Sequence, residues 1–426
     1  MTAEKLRADF IITGASQLVT CAENIGEGVL GVISNGALAA LGDDIVWVGP
    51  ESELRRHVQP APGLVEVDAD GGAVLPGFID AHTHLVFAGD RSDDFAKRVS
   101  GEPYETKGIM TTVEATRGAT DAELELFARQ RLDRFLSFGV TTLEAKSGYG
   151  LTLDQELRLL KIAQRLDHPV EVVRTFLGAH VVPPEYAGAH DEYVRLVEHG
   201  MIPALENLAE FCDVWCEDGA FTRDECRTIL RAARAQGLGI KVHAEQLAHT
   251  GGASLAAEFA AVSADHLEHA TEDDADALAG SRTVAVLLPG ATLVTGAQPA
   301  PARMLKERGV RVALSTDFNP GTSYSENLPL ALTLGCLLLK MTIEEGVLGI
   351  TRNAAAAISR ERVLGSLAPG KRNDAVVVHA PHYAELAYHY GVSPVRTVVA
   401  RSRIAFDLSK AGTSSAGAQN AQSGRQ

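Results

Sequence analysis

Between Phe10 and about Val67 the apolar positions come in short runs broken by Gly and other turn formers: "FIITGASQLVT", "GVLGVISNGALAALG" and "DDIVWVGP". That pattern predicts a small β-rich domain. From Val74 the rhythm changes. Eight apolar runs follow, each ending in polar or chemically capable residues: "AVLPGFIDAHTH", "GVTTLEAKSGYG", "VEVVRTFLGAH", "FCDVWCEDGAF", "GIKVHAEQ", "VSADHLEH", "TVAVLLPG" and "VRVALSTDFNPG". Between most of them the apolar spacing is helical. "DAELELFARQRLDRFLSFG" places Leu124, Ala128, Leu132 and Phe135 on one stripe. "LDQELRLLKIAQRL", "TRDECRTILRAARAQG" and "PARMLKERG" read likewise, the last two closing on Gly where a helix should stop.

Eight strand–helix units in series predict a closed parallel (β/α)8 barrel, and hence an α/β fold. An open doubly wound sheet is the alternative, but no phosphate-cradling G-x-G-x-x-G follows the first strand. After about Ala354 short β-like runs return, "NDAVVVHA" and "VRTVVARSRIAF". They are expected to complete the domain begun at the N-terminus. The predicted organisation is therefore one half of a small β-sandwich domain over 1–72, the barrel over 73–356, and the other half over 357–408. The tail, 409–426, is polar and small with nothing to bury, and is expected to be disordered.

Composition narrows the function. The 426 residues are 46% hydrophobic and 22% charged, as in ordinary globular proteins able to bury a core. Net charge is -16 and no Lys/Arg run occurs, so nucleic-acid binding has no electrostatic footing. An anionic substrate would need a local basic group. Five cysteines, an odd number, fit reduced thiols in a cytosol, and Cys212 and Cys216 have no second pair to make a zinc knuckle. The N-terminus lacks the apolar core of a secretion signal. The most apolar segment, Leu328 to Leu339, is about half of a bilayer span and contains Pro329. The expectation is a soluble cytoplasmic protein without membrane partners.

In "PGFIDAHTHLVFAGDRSDDF" His82 and His84 share one face of the strand, so both can reach one atom. Alone, an H-x-H is more often a solvated strand end. In a barrel of this type, however, functional residues sit at the C-terminal ends of the strands. Those ends also carry His180, His243, His266 and Asp317. Several converging imidazoles and one carboxylate suit Zn, Fe or Mn. "DHLEH" offers His266 or His269; His266 is preferred because it directly follows the apolar run. His57, His168, His190, His199, His249, His379, His382 and His389 fall on helices, loops or the outer domain.

"PGFIDAHTH", "STDFNPG" and "GSLAPGK" are together similar to the metal-dependent amidohydrolase superfamily. Within it, "FAGDRSDDF", "TLEAKSGYGL", "TFLGAHVVPPEY", "KVHAEQL" and "STDFNPGTS" resemble the imidazolonepropionase family, along nearly the whole chain. The resemblance implies hydrolysis of the ring amide of 4-imidazolone-5-propanoate to N-formimidoyl-L-glutamate in histidine breakdown. It implies one divalent or trivalent metal ion per chain, Zn or Fe, on His82, His84, His243 and Asp317, and a homodimer. It also implies substrate contacts from Arg91, Tyr149, His180, Gln246, Asn319, Gly321 and Thr322. His266 becomes the acid/base histidine. Some relatives carry an acid where this chain has Gln246; an amide cannot act as a general base, so proton transfer would rest with Asp317 and His266. Without the resemblance, Arg91 reads as a solvated loop charge beside Asp90, Asp93 and Asp94, Tyr149 as a packing aromatic, and Asn319 as a turn residue before Pro320. The loop "YETKGIMTTVEATR" has only Gly108 where the family suggests a glycine-rich run. A rival hydrolase of the superfamily, such as a heterocycle deaminase, would share the metal site and differ at Arg91, Tyr149 and His180; a non-catalytic assembly barrel should have lost ligands.

Overall fold

The computed structural model describes residues 4–101 and 108–410. The expected tail from 411 and the first half of the "YETKGIM" loop lie outside the described residues. The N-terminal runs form β1 (Leu6–Val19), β2 (Val32–Leu41), β3 (Asp44–Pro50), β4 (Val58–Asp68) and β5 (Ala73–Pro76). All eight runs read as barrel strands are strands: β6 (Phe78–Asp80), β7 (Val140–Lys146), β8 (Glu171–Ala179), β9 (Phe211–Cys216), β10 (Gly239–Ala244), β11 (Ser263–His266), β12 (Val284–Leu287) and β13 (Val312–Leu314). The C-terminal runs give β14 (Ala375–Val378), β15 (Val395–Ala400) and β16 (Arg403–Asp407).

β6 to β13 pair in sequence order as one eight-stranded sheet. It closes beside the future site: Thr83 bridges Phe318 in parallel, and His84 N donates to Phe318 O at 2.8 Å. The expected helices cover it. In the helix Asp121–Ser137, Leu124, Ala128, Leu132 and Phe135 are all fully buried, as their 3-4 spacing requires. The helix Arg223–Ala235 starts on a Thr222/Glu225 capping box, and Gly237 follows it at φ +80°, a conformation where a Cβ would be penalised. The apolar segment at Leu328–Leu338 is an 11-residue helix. Among the described residues no helix is long and apolar enough to cross a membrane.

The remaining strands form a second sheet along the path β16-β15-β14-β5-β1-β2-β3, with β4 added beside β1. Phe10, Ile12 and Leu38 share one buried cluster with Ala375, Val377 and Val399, so both ends of the chain build a single core. "VRTVVARSRIAF" is two strands rather than one. Arg401 and Ser402 turn the chain in the left-handed region (φ +49° and +55°), because Asp374 and Asn373 bind the turn: Arg401 N donates to Asp374 Oδ1 at 2.8 Å, and Ser402 N to Asn373 O at 3.1 Å. By its contacts the chain divides into two units. One ends at Phe78, takes in Phe135–Thr141 and resumes at Arg362; the other is Ile79–Arg134 with Thr142–Glu361.

Candidate active site at the barrel mouth

β6 stops at Asp80, but the Thr83 bridge keeps the next residues extended, so His82 and His84 flank it on one side. Their rings lie 5.6 Å apart, centroid to centroid. His243, the penultimate residue of β10, stands 4.5 Å from the His82 ring, and His266, the last of β11, 5.6 Å from it. Asp317 follows β13. Its Oδ1 is 3.4 Å from His82 Nε2 and 3.9 Å from His84 Nε2. Potential ligand atoms of His82, His84 and Asp317 lie within 4.8 Å of one another, as do those of His82, His243 and His266. His266 and Asp317 both hold left-handed backbones (φ +81° and +52°), a conformation costly for side chains with a Cβ and often retained at functional sites.

The nitrogens are prepared for a cation. His82 Nδ1–H donates to Asp265 Oδ2 at 2.6 Å, and His243 Nδ1 lies 3.0 Å from Asp213 Oδ2. The His82 contact places its ring proton on Nδ1 and leaves Nε2 bare, the tautomer a metal ligand needs. His82 Nε2, His84 Nδ1 and both ring nitrogens of His243 are buried with no hydrogen-bond partner among the described residues. Burial first, then Lys146 and His243, holds His82 well below its ordinary pKa, and burial with His180 does the same for His84; both are therefore neutral. Burial pushes Asp317 up to about 6. At His266 burial acts downward, but Glu268, Asp317 and Asp265 outweigh it and raise the pKa.

Above the histidines is a cavity walled by His84, Arg91, Tyr149, His180, Gln246, His266, Asn319 and Thr322, among others. Arg91 is no solvated loop charge: its side chain is 2% exposed. Nε donates to Asp94 at 2.8 Å, while Nη2 is buried without a partner among the described residues. His180 stacks on His84 at 5.2 Å, and its Nδ1–H donates to Gly148 O at 2.9 Å. Burial lowers its pKa to about 4, so the ring is neutral and Nε2 is an acceptor. Asn319 behaves as the turn residue its sequence suggests. Its Oδ1 accepts from Gly321 N and Thr322 N (2.7 and 2.8 Å), and its Nδ2 donates to Asp317 O and Thr322 Oγ1. Gly321 lines the neighbouring groove with Arg91 rather than this cavity.

The chain matches the profile of the amidohydrolase family over residues 88–385. It is 45% identical over 403 residues to the imidazolonepropionase of Shouchella clausii, covering 92% of this chain and 90% of that one. It is 47% identical over 389 residues to that of Streptomyces coelicolor, covering 91% and 97%. This chain belongs to the imidazolonepropionase family. Among solved structures, its fold is similar to an adenosine deaminase from Xanthomonas campestris with bound zinc (TM-score 0.72, 17% identity, 98% of both chains). It is also similar to an atrazine chlorohydrolase variant from Arthrobacter aurescens complexed with zinc and atraton (0.69, 17%, 93% and 95%).

Sequence motifs shared with the imidazolonepropionases do not point to everything at this mouth. Trp215 and Ile109 also wall the cavity. Below it lies a set of fully buried charges, Glu144, Lys146, Asp213, Lys241 and Asp265. The signal for them was present: each is a charged residue inside an apolar barrel strand, where a side chain facing the interior needs a partner. His269 is half-exposed, its Nδ1 3.3 Å from Gln298 Nε2, away from the cluster. All five cysteines are free, four of them buried. A Cβ on Gly321 would come within 2.2 Å of Arg91 Nη1. Gly321→Ala is thus expected to displace the guanidinium and lower kcat/KM by up to about 10²-fold, the scale of a 1 Å misplacement. Steady-state kinetics with unchanged metal content would establish it; unaltered kinetics would detach Gly321 from Arg91 function.

Proposed function

We propose that this chain hydrolyses the ring amide C–N bond of 4-imidazolone-5-propanoate, giving N-formimidoyl-L-glutamate, as a step of histidine degradation. The observation that carries the reading is Arg91: a buried guanidinium with an uncommitted Nη2, in the same cavity as the histidine–aspartate cluster. A planar fork there matches a small carboxylate bidentately.

The metal would be held by His82, His84, His243 and Asp317, one ion per chain, zinc or iron. The bare, buried His82 Nε2 beside Asp317 Oδ1, with the His84 and His243 rings next to it, supports such an ion. The cation supplies Lewis acidity and lowers the pKa of water at the site toward about 7. His180 offers Nε2 to a ring N–H, while Tyr149 and Gln246 wall the substrate's sides. Thr322 Oγ1–H donates to Asp317 Oδ2 at 3.2 Å and orients it. Gln246 has no basic group, so Asp317 accepts the proton of the attacking water. His266, whose pKa is raised by neighbouring carboxylates, is suited to protonate the leaving ring nitrogen. The reading includes a cytosolic location, supported by the five free thiols, and a homodimer, carried by the resemblance alone.

The test is the absorbance decay of imidazolonepropanoate with and without chelator, alongside elemental analysis. About one zinc or iron per chain and loss of turnover on metal removal are expected. Full activity in metal-free protein would overturn the reading.

A further inference from the structure

The buried charges beneath the site converge on one residue. Lys146, on β7, has its Nζ 2.7 Å from Asp213 Oδ2 on β9, 3.3 Å from Asp265 Oδ2 on β11 and 2.9 Å from Glu144 Oε2. All four side chains are fully inaccessible. The two oxygens it joins are those that face the ligand imidazoles: Asp265 Oδ2 accepts from His82 Nδ1 at 2.6 Å, and Asp213 Oδ2 is 3.0 Å from His243 Nδ1. Lys241 completes the set, 2.9 Å from Glu144 Oε1, and its Nζ also donates to Ala81 O, the carbonyl just before His82.

We propose that Lys146 is a positioning residue for the metal: one ammonium ties two histidine–carboxylate pairs from different strands and so holds the direction of both imidazoles together. This rests on the ligand assignment above. Two lysines face three carboxylates, so the network keeps one surplus negative charge beneath the imidazoles. A cation above it supplies the missing charge, at short range from fully buried side chains. The two carboxylates could not keep this geometry without the ammonium between them, because two like charges sharing one buried space repel each other. Without the ammonium, Asp213 and Asp265 would move apart, and that would turn an imidazole away from the metal.

Two variants test this. Lys146→Met removes the tie, but leaves three carboxylates against one lysine and can fail to fold. Lys146→Met/Glu144→Gln removes the tie and one carboxylate together, so the surplus stays at one negative charge. For each folded variant, zinc affinity is measured by competition with a chromophoric chelator, and the thermal midpoint is measured on metal-free protein. The expected result for the double variant is zinc binding weakened by about 10–100-fold, the range for partners of metal-bound imidazoles, with a metal-free midpoint close to that of the parent. After saturation with zinc, KM should remain near the parent value while kcat falls. Zinc affinity equal to the parent in the double variant would overturn the proposal, as would a loss confined to the metal-free midpoint. His243→Ala is run in parallel: if it too kept parental zinc affinity, the ligand assignment would be at fault, not the role of the lysine.

Discussion

Replacing His243 with alanine should abolish turnover and remove the bound metal, whereas His269→Ala should leave both nearly intact. The two histidines lie on neighbouring strand–loop segments of the same barrel and differ only in where they face. His243 is 3% exposed, its Nε2 has no hydrogen-bond partner among the described residues, and its ring is 4.5 Å from His82 and 5.3 Å from His266. Deleting it removes one of the four proposed coordinating groups and leaves Asp213 a buried carboxylate without its imidazole neighbour. His269 loses at most one half-exposed hydrogen bond to Gln298, worth about 1 kcal/mol. Metal content by elemental analysis, with activity on reconstituted protein, separates the two. The opposite pattern would mean that the metal is held by the other end of "DHLEH", and that the assignment of the fifth and sixth barrel strands to the site is wrong.

Arg91→Met should cost about 2–5 kcal/mol of transition-state binding, the usual result of truncating one partner of a desolvated charge pair. At roughly 1.4 kcal/mol per tenfold, kcat/KM falls some 30- to several-thousand-fold. Metal content should not change, because Arg91 touches none of the proposed ligands. Asp94, its present partner, is about one-third exposed and can be rehydrated, so the loss should appear in substrate handling more than in folding. The decisive comparison is an imidazolone lacking the propanoate carboxylate. That analogue never used the contact, so parent and variant should turn it over at similar rates. Near-normal turnover of the full substrate by Arg91→Met would reopen the substrate assignment.

The barrel was legible because its strands are buried on both faces and so stand out as short apolar runs between helical stripes. The clustering of His82, His84, His243, His266 and Asp317 was legible for a related reason: a closed barrel brings the ends of its strands to one mouth. Other features depended on partners distant in sequence. The turn at Arg401 and Ser402 carries neither Gly nor Asn and exists because Asn373 and Asp374 bind its amides. The charge of Arg91, among three nearby aspartates, gave no hint that its side chain is packed under Gly108 and Gly321. The buried lysines and carboxylates sit in quoted motifs, yet their meaning requires knowing that β7, β9, β10 and β11 face one interior. Asn319 shows the reverse case: the local rule, a turn residue before Pro320, describes its hydrogen bonds fully.

The loop that carries Tyr149 is bound by its own neighbour in sequence. The fully buried Glu156 accepts from Gly148 N, Gly150 N and Leu151 N at 3.1, 2.8 and 2.8 Å, and holds Leu151 in a left-handed conformation at φ +57°. Three amides and one carboxylate do here what a strand ladder does elsewhere. The freedom a surface loop would give up on meeting its ligand, on the order of 1–2 kcal/mol per residue, has already been surrendered during folding. A ligand reaching Tyr149 therefore meets a wall rather than a flap, and the contact it makes there adds to affinity undiminished by the cost of ordering the chain.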